Sequence, residues 1–252
     1  MRALGPPLGN GMTWRARWGY FCNALLELVL PSRCAGCGRT GTLWCATCHA
    51  EVQVVHDPVC PQCGRPQSSV VNPRPFDDLC PQCRHSPREI DGIRSAVMFE
   101  GPLRQAVHHL KYNGRWSLAE PLGRFMSARW QIAPLPADMI VPVPLHKTRM
   151  RERGYNQSAL LARQLSCASG LPVMEEAVKR IKATALQVTL NAVEREANVR
   201  DAFQARADLV RGQQALLVDD VCTTGATLVA CSRALKQAGA LSVWAFTLAR
   251  AP

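Results

Sequence analysis

The segment Leu216-Leu217-Val218-Asp219-Asp220-Val221-Cys222-Thr223-Thr224-Gly225-Ala226-Thr227 runs an apolar stretch straight into two carboxylates. A turn of hydroxyls and one glycine follows, and then a helical pattern begins. Four or five apolar residues bounded this way read as a buried strand. The strand–turn–helix order has a chemical meaning. Thr223, Thr224 and Thr227 offer hydroxyl donors, and Gly225 lets backbone come close to a ligand. The new helix points its unsatisfied N–H groups and the positive end of its dipole into the same turn, which suits a phosphate. Carboxylates accept hydrogen bonds from vicinal sugar hydroxyls, so a ribose carrying a 5′-phosphate matches both halves of the segment. The string is neither a Walker loop nor a Gly-x-Gly-x-x-Gly dinucleotide loop.

Outward from this segment, strand-like and helix-like stretches alternate. Strands are expected at Gly92–Phe99, Met139–Val143, Gln214–Val218 and Leu241–Leu248. Helices are expected at Pro102–Tyr112, Ser117–Trp130, Ser158–Ser169 and Thr227–Ala238, the last stopped by Gly239. Repeated strand, loop and helix predict an α/β fold, a parallel twisted sheet flanked by helices on both faces. Ligands in such sheets sit at the carboxyl ends of the strands.

A second strand end, after Val141-Pro142-Val143-Pro144, opens a basic loop: His146, Lys147, Arg149, Arg151 and Arg153 against Glu152 alone. Such a loop can neutralise an anionic leaving group. A solvated basic turn, or phosphate contacts to DNA, would use the same charges. Residues 182–203 are polar and irregular, although 190–201 also reads as a surface helix with Arg195 and Asn198 on one face. His108 and His109 are expected to be surface or partly buried helix histidines, and Cys222 a small packing residue.

The amino-terminal part has a different texture. Eight of the 12 cysteines form four Cys-x-x-Cys pairs: Cys34/Cys37, Cys45/Cys48, Cys60/Cys63 and Cys80/Cys83. Two such turns complete a tetrahedral Cys₄ zinc site with no open position, so two structural zinc ions are expected. The spacing suits a sequential arrangement, Cys34, Cys37, Cys45 and Cys48 on one ion and Cys60, Cys63, Cys80 and Cys83 on the other; interleaved pairing is the alternative. The metal would hold together a region with few large apolar side chains.

The whole chain, 252 residues, is 47% apolar with a formal charge of +11, which is enough apolar material for a core and excludes a disordered chain. Eight thiolates and two Zn²⁺ would lower that charge by four, to +7. Residues 1–95 hold ten Arg, no Lys and seven acids, with no basic run interleaved with aromatics, so a zinc-stapled module that packs on a partner or on the rest of the chain is favoured over a nucleic-acid binder. No apolar stretch reaches the length of a membrane span. The run 21–30 is broken by Asn23 and Glu27 and lacks a small-residue cleavage site, so it reads as a short amphipathic helix with Leu25, Leu26, Val29 and Leu30 on one stripe. A cytoplasmic location is expected. Residues 1–13 read as a tail, with Met12 an alternative start. Three parts are anticipated: 1–30 tail and helix, 31–90 double zinc ribbon, and 91–252 the α/β domain.

Asp219 through Thr227 resembles the phosphoribosyl-pyrophosphate motif of type I phosphoribosyltransferases. Over residues 20 to 250 the chain is similar to their ComF branch. The resemblance is carried by Leu25-Leu26-Glu27-Leu28-Val29-Leu30-Pro31, the four cysteine pairs, Lys111 with Tyr112, Val141-Pro142-Val143-Pro144, and Arg153-Gly154-Tyr155-Asn156-Gln157. It implies a domain that binds phosphoribosyl pyrophosphate with Mg²⁺ and transfers the phosphoribosyl group to an acceptor, linked to competence and DNA uptake. Asp219 and Asp220 would hold the ribose hydroxyls, directly or through Mg²⁺, as the catalytic pair. Thr223, Thr224, Gly225, Ala226 and Thr227 would bind the 5′-phosphate. Pro144, Lys147, Arg149, Arg153, Gly154, Tyr155, Asn156 and Gln157 would face the pyrophosphate. Gln187, Arg195 and Asn198 would lie on a mobile loop. The alternative is a non-catalytic protein that binds phosphoribosyl pyrophosphate or single-stranded DNA, with DNA-uptake proteins as partners.

Overall fold

The computed structural model describes residues 32–67, 79–182 and 201–252. The expected amino-terminal helix, Cys22, and Gln187, Arg195 and Asn198 lie outside the described residues. In chain order the elements are α1 (Ala46–Ala50), α2 (Pro81–His85), β1 (Gly92–Met98), α3 (Gly101–Tyr112), α4 (Ala119–Ile132), β2 (Met139–Pro142), α5 (Lys147–Arg153), α6 (Gln157–Ser169), β3 (Val178–Arg180), β4 (Phe203–Ala205), α7 (Ala207–Val210), β5 (Gln214–Cys222), α8 (Ala226–Gln237) and β6 (Ser242–Arg250).

Four strands form a parallel sheet in the order β1-β6-β5-β2, and β3 and β4 pair antiparallel beside it. Successive residues of a strand face opposite sides. In β5, Leu216 and Val218 pack with Leu103, Leu110, Leu122 and Leu161 from α3, α4 and α6. Ala215 and Leu217 pack on the other side with Leu228 and Leu235 of α8 and with Val178 and Phe203 of β3 and β4. The central strands are apolar on both faces for that reason, as helices covering a parallel sheet require.

Local chemistry explains the element ends. Pro102 stands in the first turn of α3, where a missing N–H costs nothing. Asn156 caps α6, its Oδ1 accepting from the Ser158 N–H at 3.1 Å. Buried Leu161 and Leu165 hold α6 to the sheet, and truncating either to Ala would cost about 2–5 kcal/mol.

Three expectations change in detail. The strand expected to stop at Val218 continues to Cys222, because β6 pairs with it as far as Cys222↔Arg250. The two carboxylates therefore stand on the strand, not after it. The helix expected from Ser117 opens as a 3₁₀ turn, Trp116–Leu118, before α4. The basic loop contains the helix α5, whose start is capped by His146, the ring accepting from the Thr148 N–H at 3.3 Å. No residue of α5 is buried, so apolar periodicity could not have marked it.

The cysteine-rich part is built onto the sheet. Val54 bridges Val97 antiparallel, with the Val55 N–H donating to Ala96 and the Met98 N–H donating to Gln53. This extra pairing covers β1, which would otherwise be a bare edge.

Candidate functional site

β2 ends at Pro142, opposite Val218, so β5 runs on past its neighbour from Asp219. Beyond that point lies a cavity of about 230 Å³. Its walls include Asp219, Asp220, the whole turn Thr223–Thr227, Pro144, Arg149, Arg153, Gln157, Ser158, Lys111 and Arg180. The structure thus brings together the acidic pair, the threonine turn and part of the basic segment. Lys147, Gly154, Tyr155 and Asn156 do not line it. Lys147 is exposed and begins α5, and Gly154 ends that helix with a left-handed backbone, φ +79°. Tyr155 donates its hydroxyl to the Leu110 carbonyl at 2.5 Å, and Asn156 caps α6 while its Nδ2 donates to Val143. These three side the cavity indirectly, by fixing α3, α5 and α6 around it.

The two carboxylates have different surroundings. Asp219 Oδ1 accepts from the Ser158 hydroxyl at 2.7 Å and from the Asp220 N–H at 2.9 Å. Burial, reinforced by the neighbouring Asp220 charge, pushes the Asp219 carboxyl up to about 6, against the smaller opposing pull of Lys111 and Ser158. Asp220 is almost fully buried, and its Oδ1 lies 2.9 Å from the Lys111 ammonium. Burial alone would lower the Lys111 pKa, but the charge and hydrogen bond of Asp220, with the charges of Asp219 and Tyr112, together outweigh it and raise the value. Asp220 Oδ2 is buried and has no hydrogen-bond partner among the described residues. A buried carboxylate oxygen left alone is costly, so this atom is poised to accept from a ligand.

The threonine turn meets its helix as an anion site should. Gly225 has φ +80° and precedes α8, and the Ala226 N–H donates to Thr224 Oγ1 at 3.3 Å, so among the described residues the next first-turn N–H groups, those of Thr227 and Leu228, are the ones left for the cavity. Arg149, Arg153 and Arg180 line the same cavity. Arg153 stacks over the exposed Tyr112 ring, 5.3 Å from its centroid, and donates to Gln157. Arg180 lies over the Phe203 ring at 5.4 Å, and burial followed by the nearby Arg149 charge lowers its pKa. Lys111, Ser158 and Arg180 were not singled out for this cavity from sequence. Lys111 ends a helix and Arg180 a three-residue strand, far from the motif in the chain, and no local pattern links them to it. Cys222 is buried, which raises its thiol pKa, so it packs rather than reacts.

The cysteines gather as two sequential sets, Cys34, Cys37, Cys45 and Cys48, and Cys60, Cys63, Cys80 and Cys83, the sulfurs of each within 4.8 Å of one another. The Cys34–Cys48, Cys37–Cys45 and Cys63–Cys80 sulfur distances are 3.7, 3.8 and 3.7 Å. A tetrahedron with zinc–sulfur bonds of about 2.3 Å has edges of about 3.8 Å, so the residues fit that ion. Backbone N–H groups of Gly36 and Cys45 point at Cys34 Sγ, and that of Cys80 at Cys60 Sγ, each at 3.4 Å. Although burial raises both thiols, the backbone N–H groups of Cys37, Cys45 and Gly36 together bring Cys34 down to about 6, and those of Cys63, Cys80 and Gln62 bring Cys60 to about 7. Thiolates so readied are metal ligands. Four sulfurs per centre leave no position for water, so each centre is structural.

Residues 25–84 match the double zinc ribbon domain, and residues 152–252 match the phosphoribosyl transferase domain. The chain is 34% identical over 233 residues to the DNA utilization protein YhgH of Salmonella typhi, covering 88% of this chain and 99% of that protein. It is 29% identical over 215 residues to the competence protein ComFC of Bacillus subtilis, covering 82% and 83%. Among solved structures, glutamine phosphoribosylpyrophosphate amidotransferase from B. subtilis is 20% identical, with a TM-score of 0.38 over 52% of this chain and 26% of that one. No described helix is long and apolar enough to cross a membrane.

Proposed function

The chain belongs to the ComF family, with the DNA utilization protein YhgH and the competence protein ComFC, and we propose that it binds phosphoribosyl pyrophosphate with Mg²⁺ and transfers the phosphoribosyl group to an acceptor nucleophile in the handling of DNA. One observation carries this reading. The paired carboxylates at the end of β5 and the amino end of α8 open into one cavity that Lys111, Arg149, Arg153 and Arg180 also line.

In this reading the 5′-phosphate takes the N–H groups and hydroxyls of Thr223–Thr227. Asp219 and Asp220 accept from the ribose hydroxyls, Asp220 through the Oδ2 that lacks a partner among the described residues. Arg149 and Arg153 face the pyrophosphate. Mg²⁺, when bound, would share the negative charge of that leaving group with them. As the acceptor's lone pair forms the new bond at C1, the C1–oxygen bond breaks and its electron pair leaves on pyrophosphate. The chain supplies position and fixed charge, without a covalent intermediate of its own. Gly154, Tyr155 and Asn156 keep α5 and α6 in register with the cavity, Gln157 lines it, and Lys147 stands exposed at the start of α5. The division of labour is residues 31–90 for the zinc ribbons and 91–252 for the transferase-like domain, acting in the cytoplasm.

The test is calorimetric titration of phosphoribosyl pyrophosphate with and without Mg²⁺, on the parent protein and on the Asp219→Asn, Asp220→Asn double variant. Binding that needs Mg²⁺ and is lost in the variant supports the reading. Equal affinity in both proteins, or binding only to single-stranded DNA with a steep salt dependence, overturns it.

A further inference from the structure

The second cysteine tetrad lies against the turn at the end of β5, and two arginines join them. Arg250, the last residue of β6, is 2% exposed. Its Nη1 donates to the Cys63 carbonyl at 2.7 Å and lies 3.0 Å from Cys222 Sγ. Cys63 is a ligand of the second tetrad, and Cys222 leads directly into Thr223. Arg88, five residues beyond Cys83, donates from Nη1 to the Thr224 carbonyl, within the same turn. Its own carbonyl accepts from Gln62 Nε2, between Cys60 and Cys63.

The fit is close at both ends. A Cβ at Gly64 would stand 2.4 Å from the Ile93 carbonyl oxygen, so the tetrad's knuckle rests on β1 at backbone contact. A Cβ at Gly225 would stand 2.9 Å from Arg88 Nη1 and 3.1 Å from Ile93 Cδ1. The turn, Arg88, Ile93 and the knuckle are thus one packed unit. The first tetrad is placed differently. A Cβ at Gly36 would strike Pro102 at the start of α3, and none of its described hydrogen bonds reaches residues 221–227.

Charge gives the arrangement a purpose. Arg250 has no carboxylate within ion-pair distance among the described residues, and a buried guanidinium needs a counter-charge. Four thiolates on Zn²⁺ carry a net charge of −2. The loaded second centre supplies the balance through the Cys63 knuckle.

We infer that Arg88 and Arg250 are positioning residues that hold the turn 221–227 to the second zinc centre, so that loading of this centre governs the turn's grip on its ligand. The inference rests on the reading of that turn as a sugar-phosphate site, but its first measurement does not. Hydrogen exchange over residues 221–227 would be followed by mass spectrometry in the zinc-loaded protein, the metal-depleted protein, and the Arg88→Gln, Arg88→Lys and Arg250→Met variants. Zinc content is counted in each. We expect Arg88→Gln and Arg250→Met to keep two zinc ions, to exchange faster in 221–227 with the rest of the sheet unchanged, and to bind phosphoribosyl pyrophosphate about tenfold more weakly. Arg88→Lys should recover part of that loss, and metal depletion should loosen the same segment. Unchanged exchange in 221–227 with the zinc count intact overturns the inference. The Arg88 side chain is only half-buried, so its variant serves if Arg250→Met does not fold. Should the parent protein fail to bind phosphoribosyl pyrophosphate while the segment still loosens, the proposed function falls and the coupling stands.

Discussion

Lys111 at the end of α3 places its ammonium 2.9 Å from Asp220 at the end of β5, joining two segments 109 residues apart at the rim of one cavity. The Asp220 side chain is 4% exposed and that of Lys111 23%, so the pair is shielded but open on the lysine side. In Lys111→Met the aspartate would lose its counter-charge while remaining buried. We expect a loss of about 2–3 kcal/mol of stability at pH 7, below the full cost of breaking a deeply buried pair. Thermal melts of both proteins at pH 7 check this; equal melting temperatures would contradict it.

Asp219 gives a pH dependence with the opposite sign to that of an ordinary ion-paired carboxylate. Its carboxyl sits at about 6 in the fold against a reference value of 3.8. Below about pH 4 it is protonated in both states and has no effect. Between 4 and 6 the unfolded chain releases its proton and the fold retains it, so stability falls as the pH rises. Above 6 a cost of up to about 3 kcal/mol remains. Asp219→Asn should therefore be more stable than the parent at pH 8 and not at pH 4. In the parent, ligand binding should strengthen as the pH rises through about 6, where the carboxylate becomes able to accept from sugar hydroxyls.

Ser158 donates 2.7 Å to Asp219 and so stabilises its ionised form. Ser158→Ala should move the pH midpoint of ligand binding upward by about one unit, a hydrogen bond to a charged group being worth about 1.5–3 kcal/mol. A binding profile with the parent's midpoint would show that the hydroxyl does not tune the carboxylate.

Native mass spectrometry should find two zinc ions per chain. Cys34→Ser and Cys60→Ser should each lose one ion and keep the other, because each tetrad is closed on itself. Chelation should unfold residues 32–67, raise exchange along β1, whose outer side pairs with Gln53–Val55, and loosen 221–227, while residues 214–220 of β5 and the body of β6 stay protected. Loss of both ions from either single variant would contradict the sequential pairing.

Much of this architecture is legible in the chain because the signals are local and periodic. The alternation of apolar strands with amphipathic helices marks the parallel sheet, since both faces of Leu216–Val218 must be covered. Cys-x-x-Cys four times over marks the metal centres, since a tight turn is what lets two thiolates meet one ion. The string Asp219–Thr227 marks the sugar-phosphate turn, since carboxylates, hydroxyls and a glycine stand consecutively where a strand becomes a helix.

What lay beyond the sequence is everything that depends on which distant residues meet. Lys111, Ser158 and Arg180 reach the acidic pair from α3, α6 and β3, and nothing in their neighbours along the chain announces it. The basic segment reads as a loop because α5 buries nothing, leaving no apolar stripe to betray its helix. The sequence by itself determined the sheet strands and the helices that cover them, the two Cys₄ sets in favoured order and the composition of the phosphate turn, because these are set by short-range sterics and ligand spacing. Only tertiary packing decided the sheet order β1-β6-β5-β2, the raised Asp219 carboxyl, and the seating of that turn on a zinc knuckle through Arg88 and Arg250. Burial and long-range pairing create those properties, and neither exists until the chain has closed on itself.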